Sequence, residues 1–268
     1  MRNFFEKKPR EKVEKTAQEI VMAARSEEKI STKELIHGLF PDFFELHGDR
    51  SGEDDPAIIA GLAQINKQAV TVIATDKGQS AEERIAKHFG SPTPNGYRKA
   101  IRLMKQAEKF GRPVVTLINT AGAYPGRTAE EGGQGEAIAQ SLLTLSDLAV
   151  PVIAIIIGEG GSGGALALAL ADRVYMLENS MYTVLSPEGF ASILWKDASR
   201  AAEAAEVMQV TPSALLRQKI IDGIIEEPNS HRKVVKNIEK VLEEELLALN
   251  KLSVTSLVQR RQNRFRKF

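Results

Sequence analysis

The sequence predicts an α/β fold in which helices cover a largely parallel sheet. Two apolar runs, Pro113–Asn119 and Val150–Ile157, each lead into a glycine-rich loop and then into a helical pattern. The connections are longer than a hairpin needs, as expected for parallel strands. A chain of 268 residues also buries roughly 73% of its extended surface on folding, which is enough for one large core.

The first elements are two short helices, which we expect to form a polar arm. Residues Glu11–Arg25 place apolar side chains at helical spacing, and Ser31–Phe40 starts with a capping residue, Ser31 or Thr32. The turn-rich stretch Gly48–Pro56 ends this arm.

A hairpin and two helices are predicted next. Alternating apolar runs at Ala57–Ile65 and Ala69–Thr75 indicate paired strands, with Asn66–Gln68 as the loop. Ser80–Phe89 and Tyr97–Phe110 have helical spacing, and Gly111 ends the second helix.

The rest of the chain continues the α/β pattern. It predicts, in order, a helix at Ala129–Leu148, the strand Val150–Ile157, a glycine loop at Gly158–Gly164, a helix at Ala165–Ala171, strands at Arg173–Leu177 and Met181–Leu185, a mostly helical stretch at Pro187–Gly223 and a charged helix at Asn229–Lys251. We therefore expect an arm (1–56), a core (57–228) and a charged helix with a basic tail (229–268), within one structural domain.

Composition excludes several chemistries. The absence of cysteine rules out disulfides, a thiolate nucleophile, thiolate zinc sites and cysteine-ligated iron–sulfur clusters. The net charge of +1 disfavours nucleic acid or a membrane as partner. Met1–Arg10 has no apolar signal region, Leu148–Ile157 is too short to span a bilayer, and the four histidines lack ligand spacing. We expect a cytoplasmic protein without a metal.

The segment Val150–Ala171 is compatible with three chemistries. Gly158, Gly160 and Gly163 match G-x-G-x-x-G, with Glu178 placed as a ribose-binding acid, which is typical of dinucleotide sites. Ser162 lies in G-x-S-x-G, the nucleophile turn of serine hydrolases, which would need a histidine. The four candidates for that base are His37, His47, His88 and His231.

The third chemistry uses backbone amides at the helix start. These amides are unpaired and lie at the positive end of the helix dipole, so they favour an oxyanion, and glycine permits close approach. One such donor is worth about 3 to 4 kcal/mol of activation barrier. The glycines could instead serve only a tight turn.

Four groups of motifs occur in order and together resemble one family. They are His88–Ala100 (HFGSPTPNGYRKA), Gly122–Gly126 (GAYPG), Ile157–Ala165 (IGEGGSGGA), and Ser186–Gly189 (SPEG) with Ile193–Lys196 (ILWK). This pattern, spanning roughly residues 44–228, resembles the carboxyltransferase alpha subunits of multisubunit acetyl-coenzyme A carboxylase. The resemblance implies a crotonase-like fold of repeated ββα units.

The resemblance also implies a reaction and its site. Carboxybiotin on a carrier protein would give its carboxyl group to acetyl-CoA, forming malonyl-CoA. It implies that Gly163 and Gly164 act catalytically through backbone N–H groups on the biotin side, and that Gly122, Ala123, Gly161 and Ser162 bind substrate. The implied partners are a zinc-binding beta subunit in an α2β2 heterotetramer, the biotin carboxyl carrier protein and biotin carboxylase. A serine hydrolase using Ser162 and a catalytically silent binding paralogue remain alternatives.

The motifs depart from the family pattern outside the glycine pair. The departures are Asn119 and Ala121 in the first loop, Gln79 after Gly78, Gly132 after the paired acids, and Pro228–His231 late in the chain. We expect them to alter loop details and acyl-chain selectivity.

Three charged features have simple expected roles. Glu130–Glu131 should complement a helix dipole rather than act as an acid/base pair. The strip Tyr97–Lys99 with Arg102 and Lys105 should be a solvated helix face rather than a coenzyme A contact. The tail Gln259–Phe268 should be a solvated end or touch an acidic partner.

Overall fold

The computed structural model describes residues 15–267, and a single eight-stranded sheet forms its centre. The strands are β1 (Phe44–Glu45), β2 (Ile58–Ile65), β3 (Gln68–Thr75), β4 (Val114–Thr120), β5 (Val152–Gly161), β6 (Arg173–Leu177), β7 (Met181–Thr183) and β8 (Gly223–Ile225). Their order is β1-β2-β3-β4-β5-β6-β8, and β7 pairs with the far end of β5. Pairing is antiparallel from β1 to β3 and parallel from β3 onward, which confirms the α/β prediction.

Helices cover both faces of the sheet. They are α1 (Ala17–Arg25), α2 (Thr32–Leu39), α3 (Ala81–Ala86), α4 (Pro94–Lys109), α5 (Arg127–Glu131), α6 (Gln134–Asp147), α7 (Ser162–Ala169), α8 (Pro187–Trp195), α9 (Ala201–Met208), α10 (Pro212–Arg217), α11 (His231–Leu249) and α12 (Val254–Phe265). Two 3₁₀ turns lie at His88–Gly90 and Ala198–Arg200.

Strand alternation explains why the core has two parts. In β5, Val152, Ala154 and Ile156 face the layer formed by α4, α6 and α7, whereas Ile153 and Ile155 face α2 and α11. All ten residues of β5 are buried because helices pack on both of its faces. The central strand therefore carries its carboxyl end, and the glycines there, on a rigid support.

The glycine segment differs from its sequence prediction. The strand predicted to end at Ile157 continues to Gly161, because Gly160 pairs with Thr120 on one side and with Tyr182 on the other. The helix begins at Ser162 rather than Ala165. Pairing on both sides thus converts most of the predicted loop into strand.

Several other predictions were wrong in their details. The helix predicted at Ala129–Leu148 is two helices, because Gly132–Gly133 separates them and Gly133 has a φ of 83°. Strands β1 and β8 were missed, and they contain two and three residues, too few to show alternation. The hairpin turn has two residues, Asn66 and Lys67, both with positive φ.

The strand predicted at Arg173–Leu177 forms with the predicted ends, whereas most other predicted elements form with shifted ends. The shifts include Glu11–Arg25 to Ala17–Arg25, Ser31–Phe40 to Thr32–Leu39, Ser80–Phe89 to Ala81–Ala86, Tyr97–Phe110 to Pro94–Lys109, Pro113–Asn119 to Val114–Thr120, Ala165–Ala171 to Ser162–Ala169, Met181–Leu185 to Met181–Thr183 and Asn229–Lys251 to His231–Leu249. Of the first predicted helix, residues 11–14 lie outside the described residues.

The basic tail is only partly a solvated end, since Arg260, Arg266 and Lys267 are exposed but Arg261 is not. Residues of the predicted tail belong to α12, and Arg261 on that helix is fully buried. Its guanidinium binds both carboxylate oxygens of Asp172, at 3.0 and 2.6 Å. A buried cation needs such a partner, and Asp172 lies 89 residues earlier in the chain, so local sequence could not indicate it.

Candidate active site

The turn from β5 into α7 contains the predicted catalytic glycines. Gly161 ends the strand, and Ser162 begins the helix without an intervening loop. Ser162 has a φ of 54°, a left-handed conformation that is uncommon for a residue with a side chain. A Cβ at Gly161 would lie 1.9 Å from the carbonyl oxygen of Ala121. Glycine at 161 therefore lets the strand end approach the neighbouring loop and presents Ser162 at the surface.

The loop after β4 packs against this turn. A Cβ at Gly122 would lie 3.8 Å from the carbonyl oxygen of Gly161, and a Cβ at Gly164 would lie 2.3 Å from the amide nitrogen of Ala123. The six residues expected at the site thus come from the loop after β4 and from the adjoining junction of β5 and α7. They are Gly122, Ala123, Gly161, Ser162, Gly163 and Gly164.

The site offers backbone donors at the start of a helix. Ser162, Gly163 and Gly164 occupy the first turn of α7, where amides have no intrahelical acceptor. Ser162 is exposed, Gly163 is partly exposed and Gly164 is buried. The eight-residue helix directs the positive end of its dipole to the same point. The arrangement can stabilise an oxyanion without a reactive side chain.

Gly122 shapes the site and does not add a free donor. Its amide donates to the Thr120 hydroxyl oxygen at 3.1 Å, and that hydroxyl donates to the Gly122 carbonyl at 2.8 Å. Gly122 has a φ of 148°, which favours glycine. Thr120 therefore fixes the loop that faces Ser162.

A buried ion cluster supports the strand just before the turn. The Glu159 carboxylate is bonded by Lys77 and, at 2.7 Å, by Nε of Arg25. Burial raises the pKa of Glu159, but Lys77 and Arg25 outweigh it and hold that pKa below its ordinary value. Sequence reasoning missed this group. An acid inside an otherwise apolar strand was the available signal, whereas nothing local pointed to its partners.

The serine-hydrolase alternative lacks its base. None of the four histidines, all within residues 15–267, is hydrogen-bonded to Ser162. His37 bonds the Lys33 carbonyl, His47 bonds Asp54, His88 stacks on Tyr124, and His231 bonds Glu34 and the Glu28 carbonyl. Ser162 has the strained geometry of a nucleophile turn without the proton acceptor that the chemistry needs.

A strained segment borders the site and was not predicted. His88 and Phe89 both have positive φ, 47° and 55°. The His88 ring stacks on Tyr124 with ring centroids 4.1 Å apart, and its Nδ1 is buried without a hydrogen-bond partner. Tyr124 follows Ala123 directly, so the stack braces the first site loop.

The basic strip on α4 is largely structural. Tyr97 and Lys99, expected on a solvated face, are buried, and their polar ends bond backbone carbonyls of Gly164 and Ile58. Arg98 bonds the Gly132 carbonyl. The tyrosine hydroxyl therefore links α4 to the first turn of α7. Glu130 lies in the first turn of α5, as expected for an acid that complements the dipole.

Residues 15–267 contain neither a cluster of metal-ligating side chains nor a membrane-spanning helix. No three histidine, aspartate or glutamate side chains are grouped so that they could hold a metal ion. No helix in this range is both long and apolar enough to cross a bilayer.

Comparison with known proteins shows the family of this chain. Residues 5–268 match the family described as acetyl co-enzyme A carboxylase carboxyltransferase-like. The acetyl-coenzyme A carboxylase carboxyl transferase subunit alpha of Streptococcus pneumoniae (strain Hungary19A-6) is 56% identical over 250 residues, which cover 93% of this chain and 98% of that protein. This chain belongs to the acetyl-CoA carboxylase carboxyltransferase family. The same subunit from strain G54 gives the same identity and coverage.

Solved structures agree with this carboxyltransferase family at the level of the fold. A transcarboxylase 12S structure with methylmalonyl-coenzyme A and methylmalonic acid bound has a TM-score of 0.67 at 20% identity and covers 85% of this chain. This chain spans 44% of that longer chain. A Pseudomonas malonate decarboxylase hetero-tetramer in complex with coenzyme A has a TM-score of 0.67 at 18% identity, covering 87% of this chain and 93% of that one. These structures confirm the crotonase-like fold. The 56% identity identifies the protein as a carboxyltransferase subunit.

Proposed function

We propose that this chain transfers the carboxyl group of carboxybiotin, presented by a biotin carboxyl carrier protein, to acetyl-CoA to give malonyl-CoA. The observation that supports this role is the set of first-turn amides at Ser162, Gly163 and Gly164, set at the exposed end of a buried central strand. Carboxybiotin supplies the carboxyl group, and its loss leaves negative charge on the ureido oxygen. The amides of Gly163 and Gly164 donate to that oxygen.

The other site residues orient the reaction. Gly122 and Ala123 lie opposite α7 on the loop after β4. Gly161 lets the end of β5 contact that loop, and Ser162 is the exposed residue of the site. Breaking the N–C bond of carboxybiotin releases CO₂, and the ureido anion then removes a proton from the methyl group of acetyl-CoA. The resulting carbon nucleophile attacks the CO₂, which forms the new carbon–carbon bond of malonyl-CoA. This chemistry requires donors from the chain and no side-chain base, which agrees with the absence of a histidine at Ser162.

The thioester side of the reaction belongs, in this proposal, to a zinc-binding beta subunit. An apolar surface for it lies beside the turn, because β7 pairs with Glu159–Gly161 and runs directly into Val184, which is 83% exposed. Ile193 and Leu194 on α8 are 58% and 61% exposed. We assign these exposed apolar side chains to the contact with that subunit, since exposed apolar patches are typical of protein interfaces. Trp195, the last residue of α8, is partly buried, and its ring packs edge-on against Phe190.

The full assembly in this proposal is an α2β2 heterotetramer that works with biotin carboxylase in the cytoplasm. The lack of cysteine suits a reducing compartment and leaves the zinc ligands to the partner. Native mass measurement of the co-expressed subunits tests the stoichiometry. Equal numbers of both chains in a four-chain species are expected.

Malonyl-CoA formation by the reconstituted pair tests the reaction and the glycine turn. Gly163 is the position to alter, since a Cβ there meets only the Ile138 side chain, at 3.8 Å, so a valine adds bulk beside the donor amides with little displacement of the backbone. We expect Gly163→Val to lower kcat by about 100-fold. The matched control is Gly135→Val on α6, where a Cβ meets nothing within 4 Å. Full activity of Gly163→Val would contradict the assignment.

The same assay separates the alternatives. Ser162→Ala should only perturb carboxyl transfer, whereas it would abolish ester hydrolysis by a serine hydrolase. A wild-type pair that assembles without turnover would identify a catalytically silent binding paralogue.

A further inference from the structure

Glu159 is a buried carboxylate for which the proposed reaction has no use. Its exposed fraction is 6%, and it lies two residues before Gly161 in a strand whose other residues are apolar or glycine. Removing a carboxylate from water costs several kcal/mol unless cations and hydrogen bonds compensate. A buried carboxylate at position 159 therefore indicates a role for Glu159 near the glycine turn.

Three separate segments bind Glu159. Arg25, in the last turn of α1, donates from Nε at 2.7 Å, and Lys77, in the loop after β3, binds the other carboxylate oxygen. Asn119, near the end of β4, accepts the Glu159 backbone amide at 3.0 Å. Both the main chain and the side chain of Glu159 are thus held in place, immediately before the amides that face the substrate.

Arg25 also binds a second carboxylate on another element. Its Nη1 donates to Oε1 of Glu188 at 2.7 Å, and Glu188 lies in the first turn of α8. The same guanidinium therefore bridges the strand that ends in the glycine turn and the helix that carries the exposed Ile193 and Leu194.

Packing and capping of helix α1 hold Arg25 in a defined position. Its buried face, Ala17, Val21 and Ala24, packs with Met181 of β7 and with Ala205 and Val210. The Thr16 hydroxyl accepts a hydrogen bond from the Glu19 amide, and the Glu19 carboxylate accepts one from the Thr16 amide. This reciprocal pair is a capping box that stabilises the start of α1. The Arg25 side chain is only 31% exposed.

We infer that Arg25 is a positioning residue: by binding Glu159 and Glu188 together, it fixes the glycine turn relative to α8, the face assigned to the beta subunit. The inference rests on the proposed function. Donors act on developing charge only when held within about 0.5 Å of the productive position. A misplacement of about 1 Å can cost about 100-fold in rate. Arg25 acts on the reaction through Glu159 and does not touch the substrate.

The test uses the reconstituted pair and three substitutions. Arg25→Gln removes both ion pairs, Arg25→Lys retains a charge that can serve one carboxylate, and Glu188→Gln breaks only the link to α8. The matched control is Lys240→Gln, since Lys240 pairs with Glu244 on the outer surface of α11 and both side chains are mostly exposed. Each variant is measured for kcat, for KM of acetyl-CoA and for hydrogen exchange of the amides at 158–165.

The expected result is a loss confined to the turn. Arg25→Gln should lower kcat by about 10- to 100-fold with KM within about twofold, Arg25→Lys should recover part of that loss, and the control should match wild type. Exchange should rise at 158–165 and stay unchanged at 114–118. A kcat within about twofold of wild type for Arg25→Gln, or exchange that rises throughout the chain, would overturn the inference.

Failure of the proposed function is a separate outcome. If the wild-type pair makes no malonyl-CoA, the proposed reaction is wrong, whereas the exchange experiment still reports whether Arg25 holds the turn. Locally faster exchange in Arg25→Gln supports the positioning role, and unchanged exchange at 158–165 contradicts it.

Discussion

The buried pair between Arg261 and Asp172 gives a quantitative prediction of stability. Arg261→Met replaces the guanidinium with an apolar side chain that still fills part of its space. It leaves Asp172 buried without its cation and removes donors from the carbonyls of Leu145, Leu148 and Val150, now bound at 2.7 to 2.8 Å. Breaking a buried pair by removing one partner costs about 3 to 5 kcal/mol of the free energy of unfolding.

Urea denaturation followed by far-UV circular dichroism and by the fluorescence of Trp195 measures this loss. Lys240→Ala, which breaks an exposed pair with Glu244 on α11, is the control and should cost less than about 1 kcal/mol. A loss below about 1 kcal/mol for Arg261→Met would refute the reasoning, because it would mean that the pair and its three carbonyl bonds contribute almost nothing.

The same variant has a predicted pH dependence. Burial already raises the pKa of Asp172, with the Arg261 bond acting against it, so removing Arg261 raises that pKa further. A folded-state pKa above the unfolded value means that the folded state takes up the proton more readily. The cost of Arg261→Met should therefore shrink as the pH falls toward about 5.

Three further predictions concern single positions. Gly164→Ala should destabilise the fold and abolish turnover, because its Cβ would lie 2.3 Å from the amide nitrogen of Ala123. Gly163→Ala should leave the melting temperature unchanged. Equal melting temperatures for both variants would contradict the packing argument. His231 bonds Glu34, which raises its pKa, so the bond contributes below the unfolded value and is lost as pH rises through the folded one. His231→Gln should thus lower stability by about 0.5 kcal/mol near pH 6 and by less near pH 9, and a pH-independent loss in urea titrations would show that the charge is irrelevant. Lys67→Gly should raise the unfolding free energy by about 0.5 to 1 kcal/mol, since Lys67 has a φ of 66°, and a lower urea midpoint would argue against backbone strain there.

The sequence contained most of the fold because its signals were local. The strands β2 to β5 were found from alternation or continuous apolar runs, and the site residues from glycines at a helix start. What it lacked were contacts between distant positions. Nothing near Gly158 shows that Gly160 pairs with both Thr120 and Tyr182, so the strand end was taken as a loop.

The missed charged residues have the same cause. The partners Arg25 and Glu159 lie 134 positions apart, and the partners Asp172 and Arg261 lie 89 apart. Some basic residues meet their carboxylate partner only when the chain folds. In the sequence, such a residue cannot be told from one that is exposed to solvent. Lys99, buried on α4, was misjudged for that reason.

The position of Arg261 in the chain has a consequence for synthesis. A ribosome makes every strand of the sheet before it reaches residue 261, so a nascent chain holding all eight strands still lacks the cation for Asp172. That carboxylate lies immediately before β6, and its Oδ2 accepts the amide of Val152 at the start of β5. The amino-terminal ends of β5 and β6 therefore complete their folding only after α12 has emerged. A message cut short before α12 yields a chain that cannot complete its core there.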